Sequence, residues 1–245
     1  MNLKLLVKKS YVAIAKGLGR LLRRAGLLSV LERKRHNRLV HWVLSLFAIH
    51  DVDQMIALDV PWWTYDAIAR VDTFLARTPN ARVFEYGSGA STVWLAKRAG
   101  HIQSVEHDAG WFDLMHDRVA PLSNVALSHI GADTVLSADP TYHSQKEGYQ
   151  GQSFERYAMA IADSAVHFDL IVIDGRGRNG CLKEAQRFLA AGGMIVFDNS
   201  KRARYRRAID ASEMAAVHLS GLTPALPYPD QTSLLTTPAR TGDGR

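Results

Sequence analysis

The chain has a single cysteine, Cys181, in 245 residues, so it can form no intrachain disulfide and lacks the sulfur for a cysteine-rich zinc site. It also lacks a long apolar run. The longest, residues 39–49, is about half the length a spanning helix needs, and His41 interrupts it. No secretory pattern is expected at the start, because Lys8, Lys9, Lys16 and Arg20 break up the early apolar stretch and no small-residue cleavage site follows. The expected location is cytoplasmic, either free or peripheral to the inner face of a membrane. With 47% hydrophobic residues the chain is no disordered segment, and its length suits one sizeable domain with an arm.

Acidic residues are nearly missing from the first forty positions. Eleven Lys and Arg stand there against Glu32 alone, a net charge of +10, while the whole chain carries +6, which leaves −4 on the other 205 residues. The basic character therefore belongs to the arm and not to the body. Within the arm, Leu3, Val7, Tyr11, Ile14, Leu18 and Leu21 recur at helical spacing, with basic residues largely on the other side. Two readings stand: a helix lying on an anionic membrane surface or an acidic partner, or a helix packing its apolar stripe on the domain. Gly17, Gly19 and Gly26 weaken any single long helix. Nucleic acid is not expected as a partner, since no aromatic residues interleave the basic run 33–38.

From about residue 60 the pattern changes. A helical stretch over 65–76 is followed by short apolar runs at 82–86, 102–106, 125–130, 170–174 and 194–198. Helical stretches at 91–98, 110–119, 154–166 and 182–190 alternate with them. Strands that are apolar throughout, such as 170–173 and 194–197, belong in a parallel sheet covered on both faces. Segments 216–220 and 233–236, separated by Pro224, Pro227 and Pro229, form an antiparallel edge pair. The expected fold is α/β: a doubly wound, mostly parallel seven-stranded sheet with an antiparallel edge hairpin, plus an N-terminal helical arm. The arm spans 1–58, the α/β domain 59–237 and a flexible tail 238–245.

The segment Glu85-Tyr86-Gly87-Ser88-Gly89 leads from the first strand into a helix. A glycine turn there lets backbone approach a ligand, and the helix start offers free N–H donors. Thr92 stands where a dinucleotide fingerprint wants its third glycine, and Glu85 precedes the turn, suiting a cationic ligand group better than a pyrophosphate. A second strand ends in Glu106, 21 residues after Glu85. A carboxylate at that strand end can accept both hydroxyl protons of a ribose. It can also cap the following helix, a role open equally to Asp108.

With these residues in place the sequence resembles the class I S-adenosylmethionine-dependent methyltransferases. Residues 168–175 (Phe-Asp-Leu-Ile-Val-Ile-Asp-Gly) and 192–199 (Gly-Gly-Met-Ile-Val-Phe-Asp-Asn) look like that family's fourth- and fifth-strand segments. The resemblance covers roughly residues 60–237. It implies a cofactor site in which Glu85, Tyr86, Gly87, Ser88 and Gly89 hold the methionine end of S-adenosylmethionine. Glu106, with His107 beside it, takes the ribose, Asp133 lies near the adenine, and Asp174 reaches the cofactor. It implies an S-adenosylmethionine-dependent methyltransferase acting on a small-molecule substrate. The rival is a non-catalytic, membrane-peripheral binding module that retains the fold.

Asp174 ends the fourth strand, and Asp198 and Asn199 end the fifth. Neighbouring parallel strands bring such groups together, and two carboxylates with an amide oxygen suit Mg²⁺. The spacing is similar to that of the catechol and caffeoyl-CoA type O-methyltransferases. In those enzymes the metal lowers the pKa of the substrate hydroxyl and holds it in line. Their lysine base falls at Gly177 here, which leaves Asp174 as the candidate catalytic base. In the alternative, Asp174 and Asp198 contact cofactor or substrate and Asn199 caps a turn. Arg176 and Arg178 are the candidate ligands for an acidic substrate. The polar stretch 139–152, with Tyr142, His143 and Tyr149, is expected to cover the site. Trp62 and Trp63 either roof the cofactor or pack the next helix, and Cys181 is structural.

Overall fold

The computed structural model describes residues 26–49 and 51–238, with Gly17 and Leu21 besides. The arm's apolar stripe lies outside the described residues except for Leu21, which is exposed, and the tail from 239 lies outside them too. Helices α1 (Leu27–Glu32), α2 (Arg38–Leu46), α3 (Val52–Leu58) and α4 (Tyr65–Arg77) precede the sheet. Then follow β1 (Arg82–Tyr86), α5 (Ala90–Ala96), β2 (His101–Glu106), α6 (Ala109–Val119) and β3 (Val125–His129). The second half contains α7 (Glu155–Met159), β4 (Phe168–Ile173), α8 (Arg178–Ala185), β5 (Leu189–Asp198), α9 (Ala203–Asp210), β6 (Ala215–Gly221) and β7 (Asp230–Thr236).

The sheet has seven strands in the order β3-β2-β1-β4-β5-β7-β6. The first five are parallel, and β7 runs antiparallel to both β5 and β6. The strand order reverses between β1 and β4, so the two chain crossovers leave in opposite directions and open a crevice at the carboxyl edge. Side chains alternate between the two faces. Phe84, Tyr86, Ile171, Ile173, Ile195 and Phe197 join the core under α8 and α9. Val83, Leu170, Val172 and Val196 join the core under α4 and α5. Both faces are thus covered, which is why the central strands read as unbroken apolar runs.

Three boundaries differ from those expected. The stretch 154–166 is α7 followed by a 3₁₀ turn, Ala160–Ser164, closed by Ala165 at φ 50°. The helix expected at 182–190 begins earlier, after Gly177 at φ 55°, and ends at Ala185. Strand β5 takes in Leu189 and Ala190 and runs on through Gly192 at φ 76°, where it is out of step with β4 between Phe168 and Leu170. Glycines that permit positive φ move these ends without disturbing the apolar pattern.

The described residues of 41–58, read from sequence as part of the arm, pack with Val60 on the sheet domain. Ala48, Ile49, Val52, Met55 and Val60 share a cluster with Ala90 and Val93 of α5 and Met115 and Val119 of α6. His41, the polar break in the apolar run, lies with Nδ1 2.7 Å from the Tyr65 hydroxyl and Nε2 3.0 Å from the Leu58 carbonyl. Trp42 Nε1 donates to the Leu226 carbonyl at 3.0 Å. Ser45, fully buried, accepts from Ala225 N at 2.9 Å and donates to the Trp42 carbonyl at 2.7 Å. Among the described residues no helix is long and apolar enough to cross a membrane.

Ser45→Ala leaves the buried Ala225 N–H without a partner, at a cost of about 1–3 kcal/mol. If α2 and α3 unfold together with the sheet, thermal melting shows one cooperative transition at a lower temperature. A separate early transition would mean that they fold independently.

Candidate active site

At the crevice, β1 passes into the turn that the sequence singled out. Gly87 adopts φ 97°, and a Cβ there would meet Gly175 N at 2.7 Å, so the loops after β1 and β4 touch backbone to backbone. Two hydrogen bonds fix this contact: Gly87 N donates to the Val105 carbonyl at 2.8 Å and Asp174 N to the Tyr86 carbonyl at 2.9 Å. Gly89 N donates to Thr92 Oγ1 at 2.9 Å. Above the turn lies a cavity of about 360 Å³. Gly87, Ser88, Gly89 and Ser91 line it on one side, Glu106, His107, Asp108, Trp62 and Trp111 on another, and Asp174, Gly175, Arg176 and Tyr149 on a third. That volume lies within the range of a small-molecule or cofactor site.

Glu106 is buried, with 2% of its side chain exposed. Its Oε2 accepts from Ser88 N at 3.0 Å and Ser88 Oγ at 3.1 Å, and its Oε1 from His107 N at 2.8 Å and Asp108 N at 2.9 Å. Burial pushes its pKa up, but the neighbouring His107 and these backbone N–H groups outweigh that and hold the carboxyl below its ordinary value. The capping role falls to Asp108, which accepts from Trp111 N at 2.8 Å at the start of α6. Only 10% of the His107 side chain is exposed; Nδ1 lies 2.7 Å from Glu106 Oε1, and neither buried ring nitrogen has a hydrogen-bond partner. A buried, unpaired ring nitrogen in a cavity wall marks a place where a ligand's polar group completes the structure.

Trp111 donates from Nε1 to the Ser88 carbonyl at 2.8 Å, and its ring stands 6.5 Å from that of Trp62. Sequence reading placed Trp111 in a helix without singling it out. Its position three residues after the Asp108 cap is the signal that turns it toward the glycine turn. Trp62 lies against Gly89, whereas Trp63 is wholly buried beside Trp94 in the core. Tyr149, from the covering stretch, packs at 5.7 Å from His107 and at 4.8 Å from the Arg176 guanidinium.

Other expected cofactor contacts lie elsewhere. Glu85 shares its sheet face with Val83, so its carboxyl passes beneath α5 and away from the cavity. It is fully buried and accepts from Ser91 Oγ and Thr92 Oγ1, each at 2.5 Å, and from Ser104 Oγ at 2.8 Å. Burial pushes its pKa from 4.5 to about 7 despite these three donors. Tyr86 points into the opposite core, its hydroxyl donating to the Ala158 carbonyl at 2.6 Å. Asp133, expected beside an adenine, caps α7 instead. Its carboxylate accepts from Glu155 N at 2.6 Å, Arg156 N at 3.2 Å and Ser153 Oγ at 2.8 Å.

The expected metal centre is also corrected. The guanidinium of Arg178, 4% exposed, sits between the two strand-end carboxylates: Nη2 is 2.6 Å from Asp174 Oδ1 and Nη1 is 3.9 Å from Asp198 Oδ2. Nη1 also donates to the Asp198 carbonyl, and Nε to the Gly175 carbonyl at 3.2 Å. Asp198 Oδ1 accepts from Thr232 Oγ1 at 2.9 Å, and the Asn199 amide turns away to donate to Asp230 Oδ2 at 2.9 Å. Asp174, Asp198 and Asn199 therefore do not fit a divalent ion, because a fixed cation already lies between the carboxylates. Among the described residues no cluster of His, Cys, Asp and Glu could hold a metal. Arg178, expected to bind substrate, is held within the protein by the same contacts. Burial raises the pKa of Asp174, against the charges of Arg178, Arg176 and Arg202. Burial and the Asp174 charge push Asp198 well above its ordinary value.

No protein-family model matches the chain, and no curated protein matches it. Several solved structures are similar. A methyltransferase-like protein of Silicibacter pomeroyi is 22% identical, with 71% of this chain and 88% of that one covered and a TM-score of 0.47. The O-methyltransferase TomG of Streptomyces achromogenes is 17% identical, with 79% and 90% covered and a TM-score of 0.49. A SAM-dependent O-methyltransferase of Thermotoga maritima is 11% identical, with 78% and 72% covered and a TM-score of 0.46.

The raised pKa of Glu85 has a definite sign. The folded chain holds a proton there that the unfolded chain has lost, so stability falls as pH rises from 4.5 to about 7. Glu85→Gln, which keeps the shape and stays neutral, removes that dependence. The variant gains about 3 kcal/mol relative to wild type across the interval, read from urea melts at the two ends. An unchanged slope would place the proton elsewhere. For the arginine-filled strand ends, Mn²⁺ titration followed by electron paramagnetic resonance shows no saturable submillimolar site. A site abolished by Asp174→Asn would reverse that assignment.

Proposed function

We propose that this chain is an S-adenosylmethionine-dependent methyltransferase that methylates a hydroxyl oxygen of a small molecule. The observation that carries the reading is the cavity at the switch point of the sheet. There Glu106, bonded to Ser88 of the Gly87–Gly89 turn, and the unpaired His107 line a space walled by Trp62 and Trp111. The residues present fit the cofactor. The turn brings backbone close to the methionine end, the Glu106 oxygen that Ser88 Oγ bonds takes a ribose hydroxyl when that side chain turns away, and the two indoles offer apolar walls. When bound, the cofactor supplies an electrophilic methyl group on a sulfonium centre.

The chain's own part is to align, to exclude water and to receive a proton. Asp174 is the acidic group of the strand ends that lines the cavity, and it is the candidate base. Burial raises its pKa, which makes it a better proton acceptor than an exposed aspartate, while Arg178 fixes the orientation of its Oδ1. Arg178 provides a permanent positive charge beside the point where the hydroxyl loses its proton.

Calorimetric titration of S-adenosylhomocysteine into the full chain tests the reading. Micromolar binding is expected, weakened by Glu106→Ala at least about tenfold, or about 1.4 kcal/mol. Circular dichroism checks that the variant is folded. Absence of binding by folded wild-type protein would overturn the assignment and favour the non-catalytic module.

A further inference from the structure

A second, far smaller recess of about 10 Å³, room for about one water, adjoins the cavity, and Arg176 lines both. Its other walls are the loop residues 143–146, the turn through Arg178 and Asn179, and Tyr205 of α9. Three buried polar atoms in and beside this recess have no partner: Arg176 Nε, Arg204 Nε and Asn179 Oδ1. Two are donors on permanent cations and one is an acceptor. Asn179 is held with that acceptor free because its Nδ2 donates to the Arg204 carbonyl at 3.3 Å. Buried polar atoms of this kind are rarely left unpaired in a finished structure.

The charge of this region is equally one-sided. Arg178 already engages Asp174 and Asp198, so those carboxylates do not neutralise the remaining arginines. Lys201, Arg202, Arg206 and Arg207 are exposed and pair with no carboxylate among the described residues. Arg202 is exposed at the start of α9, two residues before Arg204. Burial pushes the Tyr205 phenol up, yet Arg178, Arg204 and Arg202 together bring it below its ordinary value.

On the reading of the cavity given above, we propose that the acceptor binds across the mouth of this recess and is a hydroxylated acid. Its phosphate or carboxylate group is held by Arg176 and Arg204 with Arg202 at the rim, and a hydroxyl donates to Asn179 Oδ1. A guanidinium presents paired N–H donors that match either oxyanion. The position of Arg176 in both walls sets the anionic end of the acceptor next to Asp174, so the reacting hydroxyl lies between them. Arg178, the arginine expected from sequence to do this, is replaced in the role by Arg204 and Arg202 from the following loop and helix.

The test uses the full chain saturated with S-adenosylhomocysteine and observes the arginine Nε–H signals by NMR. Inorganic phosphate and malate are titrated separately to distinguish the two anion types. The expected result is saturable millimolar binding of at least one, with shifts at Arg176 and Arg204. The double variant Arg202→Gln/Arg204→Gln weakens it at least about tenfold. Equal binding by the double variant, or no saturable shift in wild type, overturns the proposal. So does a single-stranded oligonucleotide that displaces both anions, since it would assign the charge to a macromolecular polyanion. S-adenosylhomocysteine titrated in parallel separates the cases: if it binds while the anions do not, only the acceptor subsite fails. If it does not bind, the methyltransferase reading itself fails.

Discussion

The carboxyl edge of this sheet depends on one buried guanidinium. Arg178 projects from the first turn of α8 and reaches back to the ends of β4 and β5, touching the carbonyls of Asp174, Gly175 and Asp198 and both aspartate side chains. Two carboxylates this close and this buried cannot both stay ionised without a cation between them. All the hydrogen bonds of the guanidinium go to these groups, so the loops after β4 and β5 are tied at a defined separation. That leaves Asp174 in the cavity wall and puts Asp198 beneath it. Removing such a cation from a buried cluster costs about 3–5 kcal/mol. The interaction is therefore structural, and the charge it supplies at the site is a consequence of the fold.

A second constraint acts on the other side of the switch point. The backbone contact of Gly87 with Gly175 leaves no room for a side chain, and the close approach of β1 and β4 defines the floor of the cavity. Strand alternation then sorts the acids. Glu106, the last residue of β2, lines the cavity, while Glu85, one residue short of the end of β1, falls on the face covered by α5. There three hydroxyls surround it and knit β1, β2 and α5 together. A conspicuous acid beside a glycine turn thus serves to hold the turn's shape.

The fold was largely legible because its signals are local. Unbroken apolar strands, alternation with helices and the turn chemistry around Gly87 lead to a doubly wound sheet by pattern alone. Strand ends were less legible: Gly192 lets β5 begin at Leu189, and Gly177 lets α8 begin at Arg178, both by positive φ that no periodicity reveals. The site was half legible. Gly87, Ser88, Gly89, Glu106, His107, Asp174 and Arg176 meet in one cavity. The destinations of Glu85, Asp133 and Asn199 depended on which neighbour was nearer: three hydroxyls, the start of α7 and Asp230 respectively. The metal reading failed for a similar reason. Two aspartates at adjacent strand ends call for a cation, but spacing cannot say whether that cation is an ion or an arginine four residues along the chain.

The layout of charge then joins the two sites into one scheme. The body of the chain is net negative, at −4 outside its first forty residues, yet beside β4 and β5 stand Arg202, Arg206 and Arg207, which pair with no carboxylate among the described residues. On the cofactor side, Glu106 and Asp174 face the cavity. On the other side, Arg176 lines the recess, with Arg202 and Arg204 beside it at the start of α9. A cationic cofactor and an anionic acceptor would be sorted by this field into neighbouring positions before any specific contact forms, and each would be repelled from the other's place. Arg176 stands at the boundary, stacked on Tyr149 of the covering stretch. That contact fixes the Arg176 guanidinium against the covering stretch, so the same residue borders the cavity, the recess and the cover.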